Sequence, residues 1–349
     1  MDKRRFTALG LLIASVIALG ISCCKNKSLS TDDESLGSLS RDTLKTLQSL
    51  EKVNDYPLFV MTYYGDYGFR RLLKTDRSRN PVRGEARSPV EAPSWQCTCF
   101  AGFGDGSAPV FGRNFDWRHR ACLLLLTDPP DGYASVSMVD IYYCGYGSNP
   151  DLASLESRMD LLRAPFLPFD GMNEKGVAIG IMAVPYVELP YDPGKRTLND
   201  LAVIRLVLDY AESTEHAVSL IRNYNIRMDE VPLHYFIADR SGKSAVLEFV
   251  SSEMKVLYNN LPYQVSTNFI LSNYAPHLTG RCWRYDLVSD VLQNSGGSIS
   301  MSGARDLLRN VSQGNTMWSA VYNLKSGDVQ IVPGRRFASV YSTKLTPSN

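Results

Sequence analysis

Cys97 is the residue whose type and setting best suit nucleophilic chemistry. The chain has seven cysteines but only four histidines, His119, His216, His234 and His277. None of these histidines is spaced for metal ligation, and Cys97-Thr98-Cys99 is too short a clip for a structural zinc site. No metal or cofactor is expected. A Ser-His-Asp hydrolase of the α/β type needs a Gly-x-Ser-x-Gly elbow, which is missing. Gly102-Phe103-Gly104-Asp105-Gly106 lacks the helix that a phosphate loop requires. What remains is a cysteine activated by something other than histidine. Were the chain cut between Gln96 and Cys97, the thiol would share its residue with a free α-amino group. Such a group titrates at about 7.7–8.0 and suits a general base near neutral pH.

The residues after Cys97 give that idea company. Phe111-Gly112-Arg113-Asn114-Phe115-Asp116-Trp117 follows, with Arg113 sixteen and Asp116 nineteen residues on. Asp170-Gly171-Met172-Asn173-Glu174-Lys175-Gly176 comes next, then His234-Tyr235-Phe236-Ile237-Ala238-Asp239 with Ser241-Gly242. Ser266-Thr267-Asn268, Trp283-Arg284-Tyr285, Met317-Trp318-Ser319 and Val321-Tyr322-Asn323 complete the series. In this order and spacing, from Cys97 to about Ser342, the chain resembles the choloylglycine hydrolase family. These N-terminal-nucleophile amidases include bile salt hydrolases, penicillin V acylases and, more distantly, acid ceramidases.

The resemblance implies an α+β fold, a four-layer αββα sandwich, and a nucleophile–Arg–Asp–Asn–Arg set at Cys97, Arg113, Asp116, Asn268 and Arg284. Physical chemistry agrees. Acyl transfer needs donors aimed at the developing oxyanion, and Asn268 can offer its amide. A backbone N–H at Met182 or Ala183 can be the second donor. Related bile salt hydrolases carry Asn near that strand end and penicillin V acylases carry Tyr, so only a backbone donor is left here. Arg113 and Arg284 should favour thiolate by Coulombic attraction. Asp116 should either accept from the Cys97 ammonium or orient Arg113. Cys99 is a rival nucleophile two residues off the family spacing. Cys122, Cys144 and Cys282 are expected to be buried thiols, or one disulfide with a free partner.

Residues ahead of Cys97 depart from the bile salt hydrolases. Lys3, Arg4 and Arg5 precede the uncharged run Phe6–Ile21, which is too short to span a bilayer and fits a signal peptide over 1–22. Gly20-Ile21-Ser22-Cys23 suits a bacterial lipoprotein with lipid on Cys23; plain secretion and an uncleaved anchor are the alternatives. Residues 23–41 resemble a tether, which implies an extracytoplasmic protein held on a membrane. Residues 42–96 form a propeptide or a retained α-subunit, similar to acid ceramidase-type enzymes, in which the precursor cuts itself at the Cys. The aromatic stretch 56–67 must pack on something, whereas 74–96 is an exposed, protease-prone linker. The catalytic domain is 97–349.

The elements that must hold these residues are mostly strands. Expected strands are 110–113, 176–183, 234–238, 245–250, 317–324 and 329–332, with hairpin turns at 239–243 and 324–328. Expected helices cover 43–53, 201–208, 217–221, 285–292 and 303–311. Walls for an apolar acyl group are expected from 123–127, 138–146 and 166–169. Hydrophobic residues make up 44% and charged residues 21%, which excludes global disorder. The net charge of +1 gives no whole-molecule claim on nucleic acid.

The expected partner is therefore a small-molecule amide with an apolar acyl group: an N-acyl amide, a bile salt conjugate or a penicillin V-like compound. Family members are often tetramers, so the resemblance also implies a homo-oligomer. Two other functions fit the same sequence. One is a surface-binding lipoprotein that keeps the fold without catalysis, and the other is an N-acyltransferase that passes the acyl group to an amine.

Overall fold

Long runs of buried apolar residues build two stacked sheets in a computed structural model that describes residues 39–75, 97–106 and 108–346. The signal peptide, Cys23, most of the tether and residues 76–96 of the linker, Gln96 among them, lie outside the described residues; Lys74 and Thr75 end a helix instead. Arg41–Asn349 forms one unit; of the preceding unit, Met1–Ser40, only Leu39 and Ser40 are described.

The smaller sheet has six strands. Its core is β3 (Thr98–Gly102), β4 (Val110–Asp116) and β15 (Thr316–Asn323), and β14 (Tyr263–Ser266) flanks β3. Beyond β15 come β16 (Asp328–Pro333) and β17 (Tyr341–Lys344). The larger sheet has nine strands. β1 (Glu51–Lys52) and β2 (Leu58–Tyr63) form one edge, followed by β5 (Cys122–Thr127), β6 (Ser135–Asp140), β7 (Asp170–Asn173) and β8 (Val177–Ala183). β11 (Leu233–Asp239), β12 (Ser244–Val250) and β13 (Glu253–Tyr258) complete it. A short parallel pair, β9 (Arg196–Asn199) and β10 (Tyr224–Arg227), stands apart.

Every residue of β3, β4, β8, β11, β12 and β15 is buried, so both faces of these strands are covered. One face of each sheet meets the other sheet and the second face meets helices. α3 (Asp200–Tyr210) and α4 (Thr214–Arg222) pack on β7, β8 and β11. α5 (Trp283–Asn294) and α6 (Met301–Asn310) cover β3, β4, β14 and β15, burying Val288, Leu292, Leu307 and Leu308 against Phe100 and Val110. This is the four-layer αββα sandwich.

Most expected elements appear close to the positions read from the sequence. The turn at 239–243 joins β11 to β12, with Gly242 at φ 92°, a conformation an L side chain would strain. One difference is at the start. α1 covers Arg41–Gln48, beginning on the last residue assigned to the tether and stopping short of Val53, because β1 starts at Glu51. α2 (Phe69–Thr75) closes this region.

The segment before Cys97 is part of the fold. β2 pairs in parallel with β5 from Leu58–Cys122 to Tyr63–Thr127. Leu47, Leu58 and Met61 are fully buried, each contributing about 1.5–3 kcal/mol of transfer free energy. Tyr67 donates its hydroxyl to Asp209 at 2.7 Å, and Asp209 is paired with the buried Arg205 at 3.0 Å. Arg158 donates to the Leu47 carbonyl at 2.8 Å.

Candidate functional site

Cys97 stands immediately before β3, buried, and lines a cavity of about 150 Å³. Phe115, Trp117, Tyr143 and Phe169 give this cavity aromatic walls. Leu167, Ile181, Leu201 and Leu233 add aliphatic ones, while Asp200, Asp229 and Glu230 bring carboxylates to the lining. Cys99, two residues along β3, does not line the cavity. Its sulfur lies towards Gly180, where an added Cβ would stand 3.4 Å from Sγ and 3.2 Å from Arg113 Nη1. The rival nucleophile is thus packed into the sandwich, and the geometry favours Cys97.

Arg113 projects from β4 between the sheets, fully buried. Its Nη1 lies 3.1 Å from Asp170 Oδ2 and donates to the Phe169 carbonyl. Asp170, on β7, also accepts from Trp318 Nε1 at 2.9 Å and from the Tyr322 hydroxyl at 2.6 Å. Burial pushes the Asp170 carboxyl up, against the pull of Arg113 and these two donors. Of the two roles expected for Asp116, orienting Arg113 therefore falls to Asp170 instead.

Asp116 ends β4 and is fully buried. Its Oδ1 accepts from the Thr316 hydroxyl, and its backbone N–H donates to the Cys97 sulfur. Its Oδ2 has no hydrogen-bond partner among the described residues. Burial raises the carboxyl to about 7, although Thr316, Arg284 and Arg113 oppose this. A buried carboxylate oxygen beside Cys97 is suitably placed for the ammonium that chain cleavage would create.

Arg113 and Arg284 favour the thiolate as expected, but burial opposes them. Burial raises the Cys97 thiol above the ordinary range, and Arg113 and Arg284 pull it down without compensating.

Arg284, near the start of α5, acts on the other side. Its Nη1 donates to the Cys97 carbonyl and, at 2.9 Å, to Thr98 Oγ1. Its Nη2 donates to Asn268 Oδ1 at 3.2 Å. A guanidinium only donates, so this contact fixes which way the Asn268 amide faces. Asn268 Nδ2 then donates to the Ala183 carbonyl at 2.8 Å, leaving its second N–H for another acceptor. Ala183 lines the cavity, whereas Met182 is packed in the core. The structure thus brings Cys97, Arg113, Asp116, Asn268, Arg284 and Ala183 together.

A family model described as linear amide C-N hydrolases, choloylglycine hydrolase family, matches residues 97–279. That is more than half of the chain. The chain belongs to the choloylglycine hydrolase family. Membership supports hydrolysis of carbon–nitrogen bonds other than peptide bonds, in linear amides. Solved structures agree on the fold. Two variants of conjugated bile acid hydrolase from Clostridium perfringens align with TM-scores of 0.52 and 0.53 at 17% and 18% identity. Each alignment covers 71% of this chain and 92% of that enzyme. Penicillin V acylase from Agrobacterium tumefaciens aligns with a TM-score of 0.51 at 20% identity, over 71% of this chain and 86% of the acylase. Comparison with curated proteins found no match.

For this choloylglycine hydrolase family member, the expected acyl walls need revision. Tyr143, Leu167 and Phe169 line the cavity as expected, but no residue of 123–127 does. That run forms β5, with Leu123 and Leu125 facing one core cluster and Leu124 the other. The walls that went unrecognised include Phe115 and Trp117, inside a motif read only for its polar residues. Leu201, Val231 and Leu233 come from the start of α3 and the approach to β11. The five described cysteines are free thiols; Cys122 and Cys144 are buried as expected, whereas Cys282 is only half-buried.

Proposed function

We propose that the protein is a self-processing cysteine amidohydrolase that cleaves a linear amide through an acyl-enzyme on Cys97. The observation that carries this reading is the convergence of Arg113, Asp116, Asn268 and Arg284 on a cysteine that lines a mostly apolar cavity. In the first reaction the Cys97 thiol attacks the Gln96 carbonyl. The peptide C–N bond breaks as the thioester C–S bond forms, and the Cys97 nitrogen takes the proton. Water then hydrolyses the thioester, leaving a carboxylate on Gln96 and a free thiol on an N-terminal Cys97.

In turnover the new α-amino group is the base. It takes the thiol proton, and the thiolate attacks the substrate carbonyl. The second N–H of Asn268 and a backbone N–H at Ala183 receive the oxyanion, an effect typically worth about 10²–10³-fold in rate for one donor. The ammonium, held by Asp116, returns the proton to the leaving amine. Water attacks the acyl-enzyme through the same groups and releases the acid.

Retention of residues 41–75 after cleavage is part of this proposal. It is supported by the β2–β5 pairing and by the buried Tyr67–Asp209 bond. The substrate is an N-acyl amide whose acyl group is apolar; a half-open space of about 150 Å³ suits a ring-sized group, as an engineered cavity of about that volume takes up benzene. The leader at 1–22 and the proposed lipid on Cys23 would hold the enzyme outside the cytoplasm on a membrane.

A panel of acyl 4-nitroanilides from acetyl to dodecanoyl, with phenylacetyl and cholyl amides, tests the reading in wild type and Cys97→Ala. Turnover in wild type alone is expected. Binding without turnover in both would instead indicate the surface-binding lipoprotein. Amide formation with added amine in place of acid would indicate the acyltransferase.

A further inference from the structure

Asn268 lies just past the end of β14, so no strand ladder fixes it. Its neighbours on both sides are held from the opposite sheet. On the N-terminal side, His234 Nε2 lies 2.8 Å from the Thr267 carbonyl and 3.3 Å from Ser266 Oγ. A carbonyl only accepts, so Nε2 carries the proton. On the C-terminal side, the backbone N–H groups of Leu271 and Ser272 donate to the two oxygens of Glu248, at 2.6 and 2.9 Å. His234 on β11 and Glu248 on β12 stand next to the cross-strand pair Tyr235–Leu247. Nδ1 of His234 is 3.5 Å from Glu248 Oε1, and each side chain is only 1% exposed.

We propose that His234, bonded to the Thr267 carbonyl and packed beside Glu248, is a positioning residue that sets where the Asn268 amide stands relative to Cys97. The proposal rests on reading Asn268 as the oxyanion donor. The acceptor that Asn268 already meets, the Ala183 carbonyl, is one residue beyond Met182, and Met182 is the β8 register partner of His234. A single histidine therefore ties the donor loop of the six-stranded sheet to the strand of the nine-stranded sheet that bears the other oxyanion candidate. Its energetic weight follows from its burial. Removing the imidazole leaves the Thr267 carbonyl without its donor in a site closed to solvent. Although burial raises the Glu248 carboxyl, His234 and Ser272 bring it below its ordinary value, as expected of an acceptor fixed by donors. A core histidine that merely filled space would not need to grip the peptide next to a catalytic amide.

The test uses the processed full-length enzyme, with phenylacetyl and hexanoyl 4-nitroanilides as probes. His234→Leu is expected to lower kcat about 10–100-fold, in line with the cost of a roughly 1 Å misplacement, while KM moves less than about twofold. His234→Gln, whose Nε2 can reach the same carbonyl, is expected to recover most of that loss. Glu248→Gln, which disturbs the same loop from its other end without touching Thr267, is expected to lower kcat also and covers the case in which His234→Leu does not fold. In an Asn268→Ala background His234→Leu should add little, because both changes remove one donor. Additive losses, or a fall in melting temperature with kcat intact, overturn the positioning role. Wild-type turnover that survives Cys97→Ala would instead remove the site reading on which it rests.

Discussion

Arg113 forms its buried ion pair with Asp170, at 3.1 Å, and Asp116 is left with an unpaired oxygen beside Cys97. Two carboxylates within reach of one cysteine site thus have separate tasks. One fixes the arginine, and in the proposed processing the other would receive the ammonium that chain cleavage creates.

Asp170→Asn should therefore be far more damaging than its distance from Cys97 in the sequence suggests. Removing one partner of a buried pair typically costs about 3–5 kcal/mol, because the remaining charge is stranded. The variant is expected to lose that much stability in denaturant titration and to process slowly, as followed by intact mass. A loss below about 1 kcal/mol would mean that Arg113 is held by something else.

Asp116 gives a signed pH dependence. Its carboxyl is raised to about 7 in the uncut chain, against 3.8 as a free side chain. The folded state then binds the proton more tightly than the unfolded one. Its contribution is full below about pH 4 and is lost as pH rises towards 7, by up to about 4 kcal/mol. An uncleaved Cys97→Ala chain should lose stability over that window, and Asp116→Asn in the same background should flatten the profile. Chemical denaturation midpoints at pH 4, 5.5 and 7 decide it; unchanged slopes would contradict the burial argument.

Residues 41–75 should remain with the catalytic body after processing. The two fragments are expected to co-elute in size exclusion and to separate only in denaturant. Tyr67→Phe, which removes the hydroxyl that meets Asp209 at 2.7 Å, should weaken the association by about 1.5–3 kcal/mol, the usual range for a bond to a charged acceptor. Fragments that part without denaturant would refute retention.

What the sequence made legible is mostly local. Cys97, Arg113 and Asp116 sit within one hairpin, so their spacing alone relates them. The β11–β12 turn announces itself through Ser241-Gly242. The partners that fix the site are not local. Asp170 reaches Arg113 from the other sheet, and Trp318 and Tyr322 reach Asp170 across most of the catalytic domain. No spacing rule links them. Leu123–Thr127 forms a strand and no pocket wall; a continuous apolar run looks alike in a pocket lining and in a strand covered on both faces. The parallel pairing of β2 with β5 also lacks a local signal, since the two strands are separated by the linker and two further strands.

The most direct test of the central role of Cys97 is intact mass spectrometry of the purified full-length protein, beside Cys97→Ala. The wild type should yield a fragment that begins at Cys97 and a second, shorter one that ends at or before Gln96, while Cys97→Ala stays a single chain. A Cys97→Ala protein that still separates into the same two fragments, or a wild type that is active while uncut, would contradict it.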